Sequence, residues 1–273
     1  MAHLDQDAMK AAGFTSEIGP RKPQATIIMA GIEGTGKTHW SLTAPKPLLY
    51  MSTDFGDEGV IQKATGEIYR RAEGDYKLEI PTEFRAFIDQ DEKPDQRRKR
   101  EGALSNFVHD EFYLPFFADL KEAVKAGIKS VVWDNALDVW EFVRLSVYGR
   151  IASNRSDLQR EANSKYVELV RHCNIHDVNL IMINHLKNRW DAYDDPRTGE
   201  TKWKKTNDYE MQGFDKAPIL VACNLWTKFT PPDNFEVQVK KCRDRPEYVG
   251  QTFPAMPFVE LMAMLIPDVE SWE

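Results

Sequence analysis

Six apolar or β-branched residues, Ala25-Thr26-Ile27-Ile28-Met29-Ala30, run without a break into Gly31-Ile32-Glu33-Gly34-Thr35-Gly36-Lys37-Thr38. A short continuous apolar run suits a strand buried on both faces of a parallel sheet. The eight residues after it fit the pattern G-x-x-x-x-G-K-T in the context that gives it meaning, with a strand before and a helix start after. Glycine lets the backbone curl so that its N–H groups converge, and the helix that follows turns the positive end of its dipole to the same point. The loop is therefore expected to cradle the phosphates of ATP or a close relative, with Gly31, Glu33, Gly34, Thr35 and Gly36 shaping the cradle. Lys37 is expected to reach the β- and γ-phosphates, and Thr38 to place its hydroxyl on Mg²⁺.

Strand and helix patterns alternate along the rest of the 273 residues. Apolar runs at 47–52, 130–134 and 179–184 read as strands, and 219–229 and the alternating 235–240 as two more. Between them the spacing predicts helices over 38–44, over 104–126 with a bend at Pro115, over 136–151 and over 157–176. This alternation predicts an α/β fold with a mainly parallel central sheet flanked by helices. Residues 65–102 look less regular. The expected organisation is a loose arm over 1–23, one core over 24–250 and a tail over 251–273 packing on the core or on a neighbour. The arm has no apolar segment of a secretory signal, and no run approaches the roughly 18 apolar residues of a membrane span. Three cysteines, Cys173, Cys223 and Cys242, form no CxxC pair, which fits a reducing, cytoplasmic compartment.

Carboxylates at strand ends are the next candidates. Asp134 closes Val131-Val132-Trp133 and is expected to hold the magnesium shell. The residue after it is Asn135, where AAA+ proteins carry a glutamate that activates water. Another carboxylate should then orient the attacking water, and Asp54, at the end of the 47–52 strand, is the first choice, with Asp57 and Glu58 as rivals. His185 ends the 179–184 strand, placed to feel a γ-phosphate and pass its presence to the loop that follows. His172 and His176 share a helix face but lack a third ligand, so they read as plain helix surface.

Net charge is −7, which argues against a wholly basic nucleic-acid surface and leaves local strips to decide. Lys187, Arg189, Arg197, Lys202, Lys204 and Lys205 are interleaved with Trp190, Tyr193 and Trp203. Cations beside exposed rings suit single-stranded DNA, because phosphates meet the charges and unpaired bases stack. Four acids reduce the 187–205 segment to +2, and Asp195-Pro196-Arg197-Thr198-Gly199 also reads as a hairpin turn. Residues 93–100 are denser in charge, at +4, and read as a solvated face or a second contact.

Taken together, the glycine loop, the Asp54 strand end, the Val-Val-Trp-Asp134-Asn135 strand and Ile183-Asn184-His185 resemble RecA-fold recombinases. In particular they resemble the short phage-type single-strand-annealing ATPases with a RecA-like core. In that family the sensor position is usually Gln, from which His185 departs while keeping a hydrogen-bond donor. The resemblance also covers Val237-Gln238-Val239-Lys240-Lys241-Cys242-Arg243, where it implies that Lys241 and Arg243 reach the ATP of a neighbouring subunit. It implies an ATPase that binds and anneals single-stranded DNA in recombination or repair. The assembly would be a homo-oligomeric ring or filament, in the cytoplasm of a bacterial host if phage-encoded, with a single-strand-binding protein as a further partner. The long 53–130 segment has no clear counterpart, and fewer than 30 residues follow Arg245, too few for a separate DNA-gathering domain. Alternatives are a replication helicase or helicase loader, a small-molecule kinase using 93–100 as a lid, and a nucleotide-dependent scaffold.

Overall fold

The computed structural model describes residues 21–53, 58–71, 75–85, 93–149, 156–197, 199–230, 234–267, 269 and 271–272. The apolar run and glycine loop become strand β1 (Thr26–Gly31) and the start of helix α1 (Lys37–Ser41). Next come β2 (Leu48–Ser52), α2 (Glu58–Ile61), β3 (Ile68–Tyr69), α3 (Thr82–Arg85), α4 (Pro94–Val108), a π-helical turn (His109–Tyr113) and α5 (Leu114–Lys125). The second half adds β4 (Ser130–Asp134), α6 (Ala136–Tyr148), α7 (Ser156–Ile175), β5 (Asn179–Asp194), β6 (Thr201–Met211) and α8 (Ala217–Leu220). It closes with β7 (Cys223–Thr230), β8 (Asn234–Cys242), β9 (Thr252–Pro254) and α9 (Phe258–Leu265).

The strands lie in the order β3-β2-β4-β5-β1-β7-β8-β9, with β6 paired to β5 off this path. From β3 to β7 neighbours run parallel, while β8 and β9 extend the sheet antiparallel. β5 is interposed between the glycine-loop strand and β4, so the loop and Asp134 are not on adjacent strands. Parallel direction brings the carboxyl ends to one edge: Gly31 is in register with His185, and Ser52 with Asp134. Ligands of open α/β sheets bind at that edge. This is the mainly parallel α/β sheet flanked by helices that the sequence predicts.

Alternation along each strand divides the core. Ile28, Met51, Val131, Trp133, Leu180 and Met182 face one side, where α4 to α7 bring Leu104, Phe116, Phe142 and Tyr166. Ile27, Met29, Tyr50, Val132, Ile181 and Ile183 face the other, covered by Trp40 of α1 and by α9, whose Phe258, Leu261, Met262 and Leu265 are fully buried. Side chains of this size stabilise by roughly 1.5–3 kcal/mol each when removed from water.

Three local expectations change. The helix read over 104–126 starts ten residues earlier, at Pro94, where a first-turn proline has no N–H to lose. The charged 93–100 stretch is therefore the cap and exposed opening turns of α4. The expected interruption is the π-helical turn immediately before Pro115, which cannot donate to the carbonyl four residues back. The strand read over 219–229 begins only at Cys223, because its first residues belong to the short helix α8, which opens at Ala217 with Pro218 in its first turn.

Candidate nucleotide site and nucleic-acid interface

Glycine is required in the loop for two different reasons. Gly34 and Gly36 have φ of 75° and 77°, where a side chain is strained. At Gly31 space decides: an added Cβ would lie 2.1 Å from Thr227 Oγ1 and 2.5 Å from Thr35 Oγ1. Those two hydroxyls are 2.7 Å apart and buried, and Thr35 Oγ1 also donates to Ile32 O at 2.8 Å. Lys37 Nζ reaches across the curl to the same carbonyl, at 2.8 Å. The backbone is thus already wound into a cradle, with the lysine ammonium at its mouth, and this fits a chain of phosphates.

Beside it, Asp134 Oδ2 accepts from Thr38 Oγ1 and from Tyr50 Oη, both at 2.7 Å. A hydroxyl and a carboxylate in contact are hard oxygen donors of the kind Mg²⁺ takes next to phosphate. Asn135 is occupied otherwise. Its side-chain Oδ1 accepts from Asp138 N at 2.9 Å and caps α6, while its own N–H donates to Thr53 Oγ1 at 2.7 Å. A position that could have carried a water-activating acid serves the fold instead.

These groups border one cleft of about 390 Å³, lined among others by Gly34, Lys37, Thr38, Asp134, His185 and Phe235. His185 thus reaches the cleft from the end of the buried half of β5. Asp54 and Asp57 lie outside the described residues, as does the side chain of Glu58; Val60 of α2, just beyond them, lines the cleft.

Lys241 and Arg243 are not brought to this cleft. Lys241 is in register with Asn224, at the start of β7 and the opposite edge of the sheet. Its Nζ donates to Pro218 O at 2.5 Å and Val221 O at 2.9 Å, and Arg243 Nη2 approaches Ile219 O and Val221 O at 3.5 Å. Both cations therefore hold the carboxyl end of α8, where the helix dipole favours them. Partial burial, helped by the charge of Arg243, pushes the Lys241 ammonium below the usual lysine range.

Beyond Asn184 the same β5 strand leaves the core and pairs with β6 as an exposed ribbon. The stretch read as a basic-aromatic loop is thus a β-hairpin. Trp190 faces Lys205 and Ala192 faces Trp203, so both tryptophans and Lys205 share one face. The tryptophans are 54% and 66% exposed, which leaves their rings open to stacking. Tyr193, Lys202 and Lys204 share the other face with Arg189 and Asp191. Several expected DNA contacts are engaged within the ribbon: Lys187 with Glu210 at 3.2 Å, Arg189 with Asp191 at 2.7 Å, and Lys202 with Asp195. Among the described residues Lys204 and Lys205 form no ion pair. Arg197 sits in the turn, its N–H bonded to Asp195 Oδ1.

Three residues of the site escaped the sequence reading. Tyr50 looks like any other strand residue until β2 is paired beside β4, and Thr227 meets Thr35 across 192 residues. Phe235 starts an alternating strand whose far end alone attracted notice, yet its ring lies 3.2 Å from where a Gly36 Cβ would be.

No curated protein matches the chain in sequence. Two solved structures cover most of it at low identity. A KaiC-like protein from the hyperthermophilic archaeon Pyrococcus horikoshii OT3 is 10% identical over 86% of this chain and 87% of its own, with a TM-score of 0.41. The ATPase domain of a second protein is 11% identical over 86% and 81%, with a TM-score of 0.40. A family model described as an AAA domain matches residues 24–219, most of the chain. The chain belongs to this AAA-domain family, and its glycine loop on a parallel α/β sheet is that of a P-loop ATPase.

Proposed function

We propose that this ATPase binds and anneals single-stranded DNA in recombination or repair, and that nucleotide state controls its grip on the strand. The observation that carries the reading is the continuity of β5. Its buried half is in register with β1 and delivers His185 to the phosphate cleft; its exposed half carries Trp190 and pairs with β6, which carries Trp203 on the same face. A γ-phosphate contact at His185 lies one residue from the start of the ribbon.

Within the cleft, the loop amides and Lys37 would orient the triphosphate and stabilise charge as the terminal phosphate is transferred to water. Thr38 and Asp134 would hold Mg²⁺, which neutralises phosphate oxygens when bound. Tyr50 keeps the Asp134 carboxylate aimed at that position. Asp54 remains the candidate to orient the attacking water, supported by Thr53, whose N–H donates to Asp134 O at 2.6 Å. Lys241 and Arg243, on the opposite edge of the sheet, would act on the ATP of a neighbouring copy in a homo-oligomer.

Two measurements test this. Filter binding of a labelled oligonucleotide is expected to tighten with ATP and slacken after turnover; affinity indifferent to nucleotide would sink the coupling. ATP turnover is expected to rise with single-stranded DNA in the wild type and to vanish in Lys37→Ala.

A further inference from the structure

Next to the phosphate cleft is a second cavity, of about 500 Å³, which shares Thr35, Gly36, His39 and Phe235 with it. Phe235 forms the partition, with its ring over Gly36 and its other neighbour Phe229 at 4.7 Å between centroids. Trp40, Val237 and residues 254–257 supply the remaining apolar wall. Once phosphates lie on the loop, the part of a nucleotide still to be housed is its base and ribose, and a cavity of this size accommodates them.

What the wall lacks is informative. Pro254 and Pro257 have no backbone N–H to offer. Ala255 N–H is donated to Phe235 O at 2.9 Å, and Met256 O accepts from Trp40 Nε1 at 2.8 Å. Thr43 Oγ1 donates to Trp40 O and accepts from Phe258 N, and Asn234 Nδ2 lies 3.4 Å from Glu236 Oε1. Apart from the solvent-exposed His39 ring, which also borders the phosphate cleft, and the part-exposed Glu236 carboxylate, the polar groups of the wall are thus engaged with the protein itself and none is a buried free donor or acceptor. A site rejects a wrong base strongly only when that base strands the site's own buried donors or acceptors. Stacking, in contrast, is available to every base, since each has a π-face.

The geometry points to this cavity as the nucleoside pocket, holding base and ribose by stacking and apolar contact and accepting purine and pyrimidine nucleoside triphosphates alike. This rests on the phosphate reading of the glycine loop. The test is displacement of a fluorescent ATP analogue from the full chain by ATP, GTP, CTP, UTP and inorganic tripolyphosphate. The four nucleotides are expected to compete within about tenfold of one another. Phe235→Ala and Met256→Ala should each weaken all four by about fivefold or more and leave tripolyphosphate unchanged. Met256→Ala is the independent check, because it alters the wall without uncovering Gly36. A hundredfold preference for one base would overturn the inference, as would variants that weaken tripolyphosphate as much as the nucleotides. If instead Lys37→Ala leaves ATP and tripolyphosphate binding intact, the phosphate reading itself fails and the pocket falls with it.

Discussion

Gly31→Ala, alone and combined with Thr227→Ala, tests whether the phosphate loop is seated by a close approach to β7. The new methyl would sit 2.1 Å from Thr227 Oγ1, 2.5 Å from Thr35 Oγ1 and 3.2 Å from Thr227 O. Both threonines are buried, so neither can swing into solvent without giving up a hydrogen bond. Overpacking of this kind costs about 1–3 kcal/mol. Thr227→Ala alone removes the bonds to Thr35 and to Ala30 O, costing about 1–2 kcal/mol. In the double variant the shortest clash is gone and the Thr35 hydroxyl, released from its partner, can turn away. The two losses should therefore fall short of their sum by about 1 kcal/mol or more, a coupling expected only for residues in contact. Urea unfolding of the four proteins measures the cycle, and ATP binding should recover partly in the double variant. Additivity within about 0.5 kcal/mol would refute the packing argument.

Tyr50→Phe removes a donor to the buried Asp134 carboxylate and should lower unfolding free energy by about 1.5–3 kcal/mol, read from urea midpoints. Trp190→Ala and Trp203→Ala should each weaken single-stranded oligonucleotide binding by about fivefold or more while leaving ATP affinity unchanged, since stacking is worth about 1–3 kcal/mol per base. Lys205→Ala should reduce the slope of log affinity against log salt by roughly one unit or less. Burial lowers the Lys46 ammonium to about 8. An unfolded lysine keeps its proton to about 10.4, so between these values the unfolded chain binds more protons and stability rises with pH. Wild-type stability relative to Lys46→Met should accordingly increase from pH 8 to about 10 and stay level below 8, as urea midpoints across that range will show.

The core and the phosphate loop were legible because each rests on a local pattern. The continuous run before Gly31 and the strand ends at Asp134 and His185 needed only the rule that parallel strands share a carboxyl edge. What stayed hidden depends on pairing at a distance. Asn135 could be seen as a departure from an acidic pair, but that it caps α6 follows only from its geometry. Thr227 and Phe235 matter because β7 and β8 are laid beside β1, an outcome no window of sequence contains. The short helix α8 was overridden for another reason: apolar residues from Ile219 onward look continuous with β7, and only Pro218 hints at a helical start. Lys241 and Arg243 show how a likeness can locate residues while saying little of their surroundings, which here are the carbonyls of α8.

The single strand that begins in the core and ends as a ribbon also has a mechanical consequence. From His185 to Asp194 the extended chain spans about 30 Å at roughly 3.3 Å per residue. It is stiffened by pairing along most of its length, with one irregularity, between Asn188 and Trp190. A tilt of about 5° at its root would carry the tip about 3 Å, close to the 3.4 Å rise between stacked bases. If the chain grips single-stranded DNA as proposed, a sub-ångström adjustment beside a phosphate would be geared up to the step size of a nucleic-acid lattice, and the irregularity near the fulcrum would set the direction in which the tryptophan face travels.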